Sequence, residues 1–407
     1  MRRMIEVYNP YDETIVDSVP ESTLEDVEKA LEKLEIGKKI MQSLPLHKRV
    51  EILSNTAKII EENSEDLAIT LVKEVGKTIR EARIEVRRTA EIFKLASEEA
   101  KRIHGETLPF DSVKNSENKI GFFIRVPVGI IAAITPFNVP LALAAHKIAP
   151  AIAGGNCVIF KPSTLTPLAD IKLSQFLYEA GLPEEALKVV LGPGETIGEA
   201  IIKDDRVRMI SFTGSREVGL NITRKAGIKK ISLELGSNSA LILSDKGDVK
   251  SCAKATVKGG YAVAGQVCIS IQRVLVHKKV LEEFLHYFIP LVENLRVGNP
   301  MREDTDMGPM ITESAAKRVE EWIKEALNLG GKILTGGERE KTLLKPTVLI
   351  DVPLEAKVIK EEVFGPVVTI IPFENVEEAI NDAITKALNS LEKERVEREE
   401  YEKKIKR

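Results

Sequence analysis

The sequence predicts an α/β protein with a doubly wound, mostly parallel sheet and a second α/β unit, on three observations. The chain has 407 residues, and a single core stops growing beyond roughly 250 to 300, so two units are expected. From Gly129 onward, short apolar runs alternate with segments of helical periodicity, the pattern of parallel strands joined by crossover helices. Glycine and proline punctuate both units: Pro127, Gly129, Pro136 and Pro140 at the entry to the first sheet, Gly330, Gly331, Gly336 and Gly337 at turns in the second.

Between Ser22 and about Ile103 the apolar residues recur at helical spacing (Val50, Leu53, Ala57, Ile60; then Leu67, Leu71, Val75), which predicts several helices. Candidate strands follow at 130–134, 157–160, 189–191, 209–212, 231–233 and 240–243. Sheets of this kind bind ligands beyond the carboxyl ends of their strands. The second unit runs from about Asn238 to Phe373, with a strand at 273–276 and helices near 280–291 and 315–329. After about Asn381 the composition becomes a charged helix with a thin apolar stripe (Ile380, Ile384, Leu388, Leu391), read as a solvated terminal helix, with a partner-binding helix as the alternative. No internal repeat is found.

Hydrophobic residues at 43% and charged residues at 30% describe a soluble globular chain. Its Lys and Glu excess, with few Cys and Met, is also a habit of thermophile proteins. A net charge of -3 argues against a nucleic-acid partner, which calls for a basic patch. The basic start is followed at once by polar residues, and no run approaches ~20 apolar residues, so neither a signal peptide nor a membrane span is expected and the protein is placed in the cytoplasm. Three widely spaced cysteines suggest no disulfide framework and no metal site, and leave at least one thiol free.

Cys268 lies in Tyr261-Ala-Val-Ala-Gly-Gln-Val-Cys-Ile-Ser270. A cysteine among apolar residues is usually inert packing, the reading given to Cys157, and Cys252 is assigned no role. Around Cys268, however, Gly265 permits close backbone approach, and a helix beginning near the thiol is expected to lower its pKa. Glu234 ends an apolar strand in Leu-Glu-Leu-Gly (233–236); alone, it reads as a paired structural carboxylate. Asn138 stands between two prolines in Thr135-Pro-Phe-Asn-Val-Pro140, which restrict its backbone and can fix its amide. Lys147, read alone, is a surface lysine.

Glu234 at a strand end, followed at this interval by Gly-Gln-x-Cys, resembles the general base and nucleophile of the aldehyde dehydrogenase superfamily. The resemblance runs in family order over roughly residues 5 to 380. It implies a Rossmann-like dinucleotide-binding domain over 1–237, with an oligomerisation strand near 118–127, and a catalytic domain over 238–380, followed by the tail at 381–407. In the family the Asn138 amide donates to the oxyanion and Lys147 belongs to a proton relay. Thr135, Pro136, Lys161, Ser163, Thr164, Gly194, Gly198, Thr213, Gly214, Ser215 and Val218 are implied around the dinucleotide, with Glu362 and Phe364 beside its nicotinamide ribose. Members that transfer the acyl group to coenzyme A typically lack the general base, so Glu234 implies hydrolysis to the acid. NAD-preferring members commonly carry Glu where Thr164 stands, so NADP is the expected cofactor and NAD the alternative. The pattern is close to members acting on small hydroxyaldehydes such as lactaldehyde or glyceraldehyde derivatives.

Two departures from the family set further expectations. Ser237 replaces a usual glycine beside the base. The chain also stops before the family's Tyr-Gly-Leu segment, Pro-Phe-Gly-Gly tunnel loop, acidic relay end and last oligomerisation strand. The catalytic domain is therefore expected to be truncated and slow, or else inactive while still binding dinucleotide. Segment 119–125 is expected to present an unpaired edge that pairs with another copy, giving a homo-oligomer in a changed arrangement.

Overall fold

The structure, a computed structural model, describes residues 2–381, 383 and 384. An antiparallel ribbon of β1 (Met4–Tyr8) and β2 (Ile15–Pro20) precedes the predicted helices α1 (Leu24–Ser43), α2 (Leu46–Glu62), α3 (Ser64–Val75) and α4 (Ile79–Ala100). Each of the apolar positions that predicted them except Val50 is fully shielded from solvent. α1 and α4 begin with capping boxes, Thr23 with Asp26 and Thr78 with Glu81, which satisfy N–H groups that a helix start leaves unpaired.

A small ribbon, β3 (Glu106–Leu108) with β4 (Gly121–Phe123), stands apart from the sheets. Of the segment expected to form one strand near 118–127, only three residues pair. Its Ile120, Phe122 and Ile124 are exposed.

The first sheet comprises β5 (Ile130–Ile134), β6 (Cys157–Lys161), β7 (Leu187–Val189), β8 (Val207–Thr213) and β9 (Lys230–Glu234), in the order β7-β6-β5-β8-β9 and parallel throughout. Its crossovers contain α5 (Pro140–Ala153), α6 (Leu168–Glu179), α7 (Glu199–Lys203) and α8 (Arg216–Lys225). The strand order reverses at β5, so a crevice opens outside the carboxyl ends of β5 and β8, where such folds take ligands. The strand expected at 189–191 lies two residues earlier. Leu191 leaves the sheet because Ser22 engages both its N–H, through Oγ at 2.9 Å, and its carbonyl, at 2.8 Å.

The second sheet has the order β10-β11-β16-β15-β12, from β10 (Ser239–Leu243), β11 (Ile271–His277), β12 (Lys332–Thr335), β15 (Thr347–Ile350) and β16 (Val367–Phe373), with only β12 antiparallel. The run at 240–243, which continues the first series in sequence, thus belongs here. Around it lie α9 (Val249–Tyr261), α10 (Lys278–Glu293), α11 (Glu313–Asn328), the short α12 (Lys357–Lys360) and a two-residue hairpin of β13 (Arg339–Glu340) with β14 (Leu343–Leu344). Each sheet organises its own apolar core. Residues 376–381 are helical, and the rest of the expected charged helix, 385–407, lies outside the described residues. No helix among the described residues is long and apolar enough to cross a membrane.

Candidate active site

The chain leaves α9 through a tight turn in which Val263 (φ 50, ψ 39), Ala264 (φ 54, ψ 38) and Gly265 (φ 70) are consecutively left-handed. For Val and Ala this costs roughly 1 to 2 kcal/mol each, and only a surrounding structure that fixes the turn can hold it. At Gly265 the close approach is to Gly365: a Cβ there would come within 2.1 Å of the Gly365 carbonyl oxygen. Buried Gln266 then anchors the loop. Its Nε2 donates to Val263 O at 3.1 Å and its Oε1 accepts from Ile311 N at 2.9 Å.

Cys268 follows in a turn before β11 and is exposed, while Cys157 is fully buried in the core with its thiol pushed up to about 12 by burial. No helix starts at Cys268, and the expected lowering of its pKa is absent. Partial desolvation, then the Glu362 carboxylate, and more weakly Glu234, hold the thiol above its ordinary value; the N–H groups of Cys268 and Ile269 act the other way.

Asn138 follows β5 and is buried. Its Nδ2 donates to Gln266 O at 2.7 Å, bringing the end of the first sheet against the Cys268 loop, while its Oδ1 has no partner among the described residues. The preceding Phe137 meets Phe364 edge to face at 5.8 Å between centroids. Glu234 ends β9, opposite Thr213 of β8. Lys147 on α5 is not a surface lysine: it is buried, donates to Thr213 Oγ1 at 2.8 Å, and is driven by desolvation to about 8, partly offset by Glu234.

Ser237 makes three contacts on the other side of the thiol. Its N–H donates to Glu362 Oε1 at 3.0 Å, its hydroxyl donates to the Cys268 carbonyl, and it pairs with Ser239 Oγ at 2.9 Å. Gln272 cradles the 361–363 segment, donating to Glu361 O at 2.6 Å and accepting from Val363 N at 2.8 Å, while Arg318 donates to Val363 O at 2.7 Å. Gln272, Arg318 and Ser237's clamp were not legible as site features, because each acts across long sequence separations.

The remaining candidates surround the crevice. Lys161 ends β6, buried, its Nζ only 3.5 Å from the Pro162 carbonyl, and desolvation lowers its pKa. Ser163 and Thr164 follow; Ser163 Oγ accepts from Leu165 N at 3.2 Å. Gly198, in the π-helical turn Gly194–Gly198, lies against Lys161: a Cβ would sit 3.8 Å from its side chain, whereas Gly194 faces open space. After Thr213 and Gly214, Ser215 caps α8, accepting from the N–H of half-exposed Val218. A dinucleotide fits these residues on the structure's own terms. Lys161 is a buried cation that, among the described residues, makes no ion pair and feels only the charge of Glu195, and Gly194 leaves room for close approach.

Beneath this crevice lies a cluster that the sequence reading missed. Glu74 is buried, accepts from Leu168 N at 2.7 Å and Ala169 N at 2.9 Å, and is raised by burial to about 8. Asp170 is buried, and burial, then Glu74 and Glu85, push it well above the usual carboxylate range, against the opposing pull of the neighbouring Thr135 hydroxyl. Glu85 accepts from Ala142 N at 3.2 Å and pairs with Lys77.

An exposed thiol in one α/β unit thus stands against the carboxyl ends of another unit's parallel strands, under the field of two carboxylates, an arrangement suited to an enzyme of the two-sheet α/β class. The profile described as "Aldehyde dehydrogenase family" matches residues 1–386. A 3-sulfolactaldehyde dehydrogenase of Priestia aryabhattai is 44% identical over 377 residues, 93% of this chain and 79% of the relative. A lactaldehyde dehydrogenase of Methanocaldococcus jannaschii is 41% identical over 386 residues, 94% of this chain and 82% of its own length. The crystal structure of the glyceraldehyde-3-phosphate dehydrogenase GapN of that organism, complexed with NADP, superposes with a TM-score of 0.90 at 40% identity, covering 94% of this chain and 83% of that one. The chain belongs to the aldehyde dehydrogenase family. Its activity is that of an oxidoreductase acting on an aldehyde with NAD(P).

Proposed function

We propose that this enzyme oxidises a small hydroxyaldehyde of the lactaldehyde or glyceraldehyde type to its carboxylate, with NADP in preference to NAD, through a thioester on Cys268. The observation that carries the reading is the junction of Asn138 with the nucleophile loop, with Cys268 the one exposed cysteine and Glu234 close enough to act on its charge. Residues 1–237 hold the cofactor and 238–380 carry the nucleophile.

Glu234 takes the thiol proton, which the raised pKa makes necessary, and releases it to solvent, regaining its charge, while the thiolate bonds to the aldehyde carbon as the carbonyl electrons move to oxygen. The second N–H of the Asn138 amide, with the backbone N–H of Cys268, stabilises that oxyanion. When bound, the dinucleotide supplies the acceptor for the hydride that leaves this carbon. Glu234 then removes a proton from water; the water oxygen bonds to the thioester carbon, the C–S bond breaks, and acid and thiolate result. Lys147, shifted toward neutrality and under Glu234's influence, moves that proton onward. Thr135, Pro136, Gly194, Gly198, Thr213, Gly214, Ser215 and Val218 would frame the dinucleotide, Glu362 and Phe364 would hold its nicotinamide end, and Lys161 with Ser163 and Thr164 would meet the adenosine 2′-phosphate. The apolar surroundings, Phe137, Phe364 and Ile269, suit a short carbon chain, and the relatives' names point the same way.

The protein is assigned to the cytoplasm as a homo-oligomer, associating through the exposed Ile120, Phe122 and Ile124 face. Steady-state oxidation of propanal and lactaldehyde with each cofactor tests the catalytic reading, and turnover with neither aldehyde overturns it. Light scattering tests association; a monodisperse monomer is the contrary result.

A further inference from the structure

Two of the three left-handed residues before Cys268 carry side chains that disfavour that conformation, and within their own segment the bonds to them come from Gln266 to the Val263 carbonyl. One contact reaches them from far away in the sequence. The Val263 N–H donates to Glu81 Oε1 at 2.8 Å. Glu81 sits in the first turn of α4, where its other oxygen, Oε2, accepts from the Thr78 N–H at 2.9 Å and from the Thr78 hydroxyl at 2.8 Å. One carboxylate therefore completes a helix cap with one oxygen and fixes the strained turn with the other.

The start of α4 is itself held against the second unit. Ile79 N donates to Pro300 O at 2.9 Å, and Arg80 donates to Thr305 O at 2.8 Å and to Asp306 at 2.7 Å. Glu81 is thus presented from a fixed platform. Downstream, the Val263 carbonyl accepts from both Gln266 N and Gln266 Nε2 at 3.1 Å, and Asn138 donates to the Gln266 carbonyl. A shift at Val263 would pass through Gln266 to the two groups assigned to the chemistry, the Cys268 thiol and the Asn138 amide.

We infer that Glu81 is a positioning residue for the nucleophile: its second carboxylate oxygen holds the left-handed Val263–Gly265 turn and thereby sets where Cys268 stands. The inference rests on the reading of Cys268 as the nucleophile but is tested by a measurement that does not need turnover. Side-chain length separates the loop contact from the cap. In α1 an Asp at the same helix position, Asp26, completes a capping box with Thr23, so Glu81→Asp keeps a cap while its shorter arm no longer reaches Val263. Glu81→Gln keeps an oxygen for the Val263 N–H. Thr78→Ala weakens the cap and leaves the loop contact in place.

The experiment is the alkylation rate of Cys268 by iodoacetamide across a pH series, followed by peptide mass spectrometry, with melting temperature, NADP titration, and kcat and KM for the aldehyde measured alongside. Glu81→Asp is expected to slow Cys268 alkylation and lower kcat about tenfold or more, with NADP affinity within about twofold of wild type, since a full 1 Å displacement at a reacting group costs about 100-fold and a partial one less. Glu81→Gln is expected to restore most of both rates, and Thr78→Ala to lower the melting temperature without slowing alkylation. Unchanged alkylation in a folded Glu81→Asp overturns the inference, as does an equal slowing in Thr78→Ala, which would make the effect one of helix capping. Should Glu81→Asp not fold, wild-type-like alkylation and kcat in Glu81→Gln with slowed rates in Glu81→Ala supports the inference, and equal rates in those two overturns it. If wild-type enzyme alkylates normally yet oxidises no aldehyde, the failure belongs to the catalytic reading instead.

Discussion

In the nucleotide crevice several candidates are fixed within a single strand-turn-helix: Ser215 caps the helix that contains Val218, and Ser163 Oγ bonds Leu165 N. In the nucleophile loop the supports come from distant segments: Glu81, Asn138, Ile311, Gly365 and Ser237. The first arrangement follows from strand-turn-helix geometry, and no non-glycine residue of 163–165 or 213–218 has a positive φ. The second holds adjacent residues at positive φ and exists only when both units are folded and docked. A locally built region should tolerate change in proportion to the contact removed; a region held from a distance should lose function well before it loses stability.

The sharpest test of that contrast is Cys268→Ala. It is expected to abolish aldehyde oxidation while leaving NADP affinity nearly unchanged, because no other group can form the thioester; retained turnover would remove the nucleophile loop from the comparison. Next is a pair of alanines. Gly265→Ala places a methyl within 2.1 Å of the Gly365 carbonyl at a φ of 70, and should cut kcat by about 100-fold, the scale of a 1 Å misplacement. Gly194→Ala meets nothing within 4 Å and should leave the melting temperature unchanged. Equal losses of stability in the two would erase the distinction.

Thr164→Glu places a carboxylate where a 2′-phosphate is proposed to bind, and should weaken NADP about tenfold or more while sparing NAD, read by titrating both. A clear NAD preference in the wild type would already refute the cofactor assignment. The acidity of Cys268 gives a pH test. Because Glu362 disfavours the thiolate, Glu362→Gln should shift the midpoint of Cys268 alkylation to lower pH, whereas an upward shift would mean that Glu362 does not act on the thiol by charge.

The smallest expected effect lies under the crevice. Asp170 and Glu74 have folded-state pKa values raised by burial, so above about pH 4 the native state binds more protons than the unfolded one, and stability falls as pH rises toward the folded values, about 8 for Glu74. Asp170→Asn removes one such group. It should flatten the stability profile between about pH 4 and 8, read by urea unfolding across that range, because the amide does not titrate. A steeper fall would show that the folded protein lowers the carboxyl's pKa instead of raising it.

What the sequence by itself determined is the local part of the molecule. Strand 130–134 was placed to the residue, helical spacing at Leu53, Ala57 and Ile60 marked a buried face, and short motifs marked Cys268, Glu234, Asn138 and the turns after each strand. These follow from periodicity and from residue types that a turn or strand end requires. Tertiary structure decided what depends on groups far apart in the chain. It drew Leu191 out of the first sheet, buried Lys147, and raised the Cys268 thiol where a helix had been expected to lower it. It also placed Glu81 on Val263 and gathered Glu74, Glu85 and Asp170 beneath the crevice. The physical reason is range. Backbone preference acts over a few residues, whereas desolvation and carboxylate fields depend on every group within several ångströms, whatever its place in the sequence.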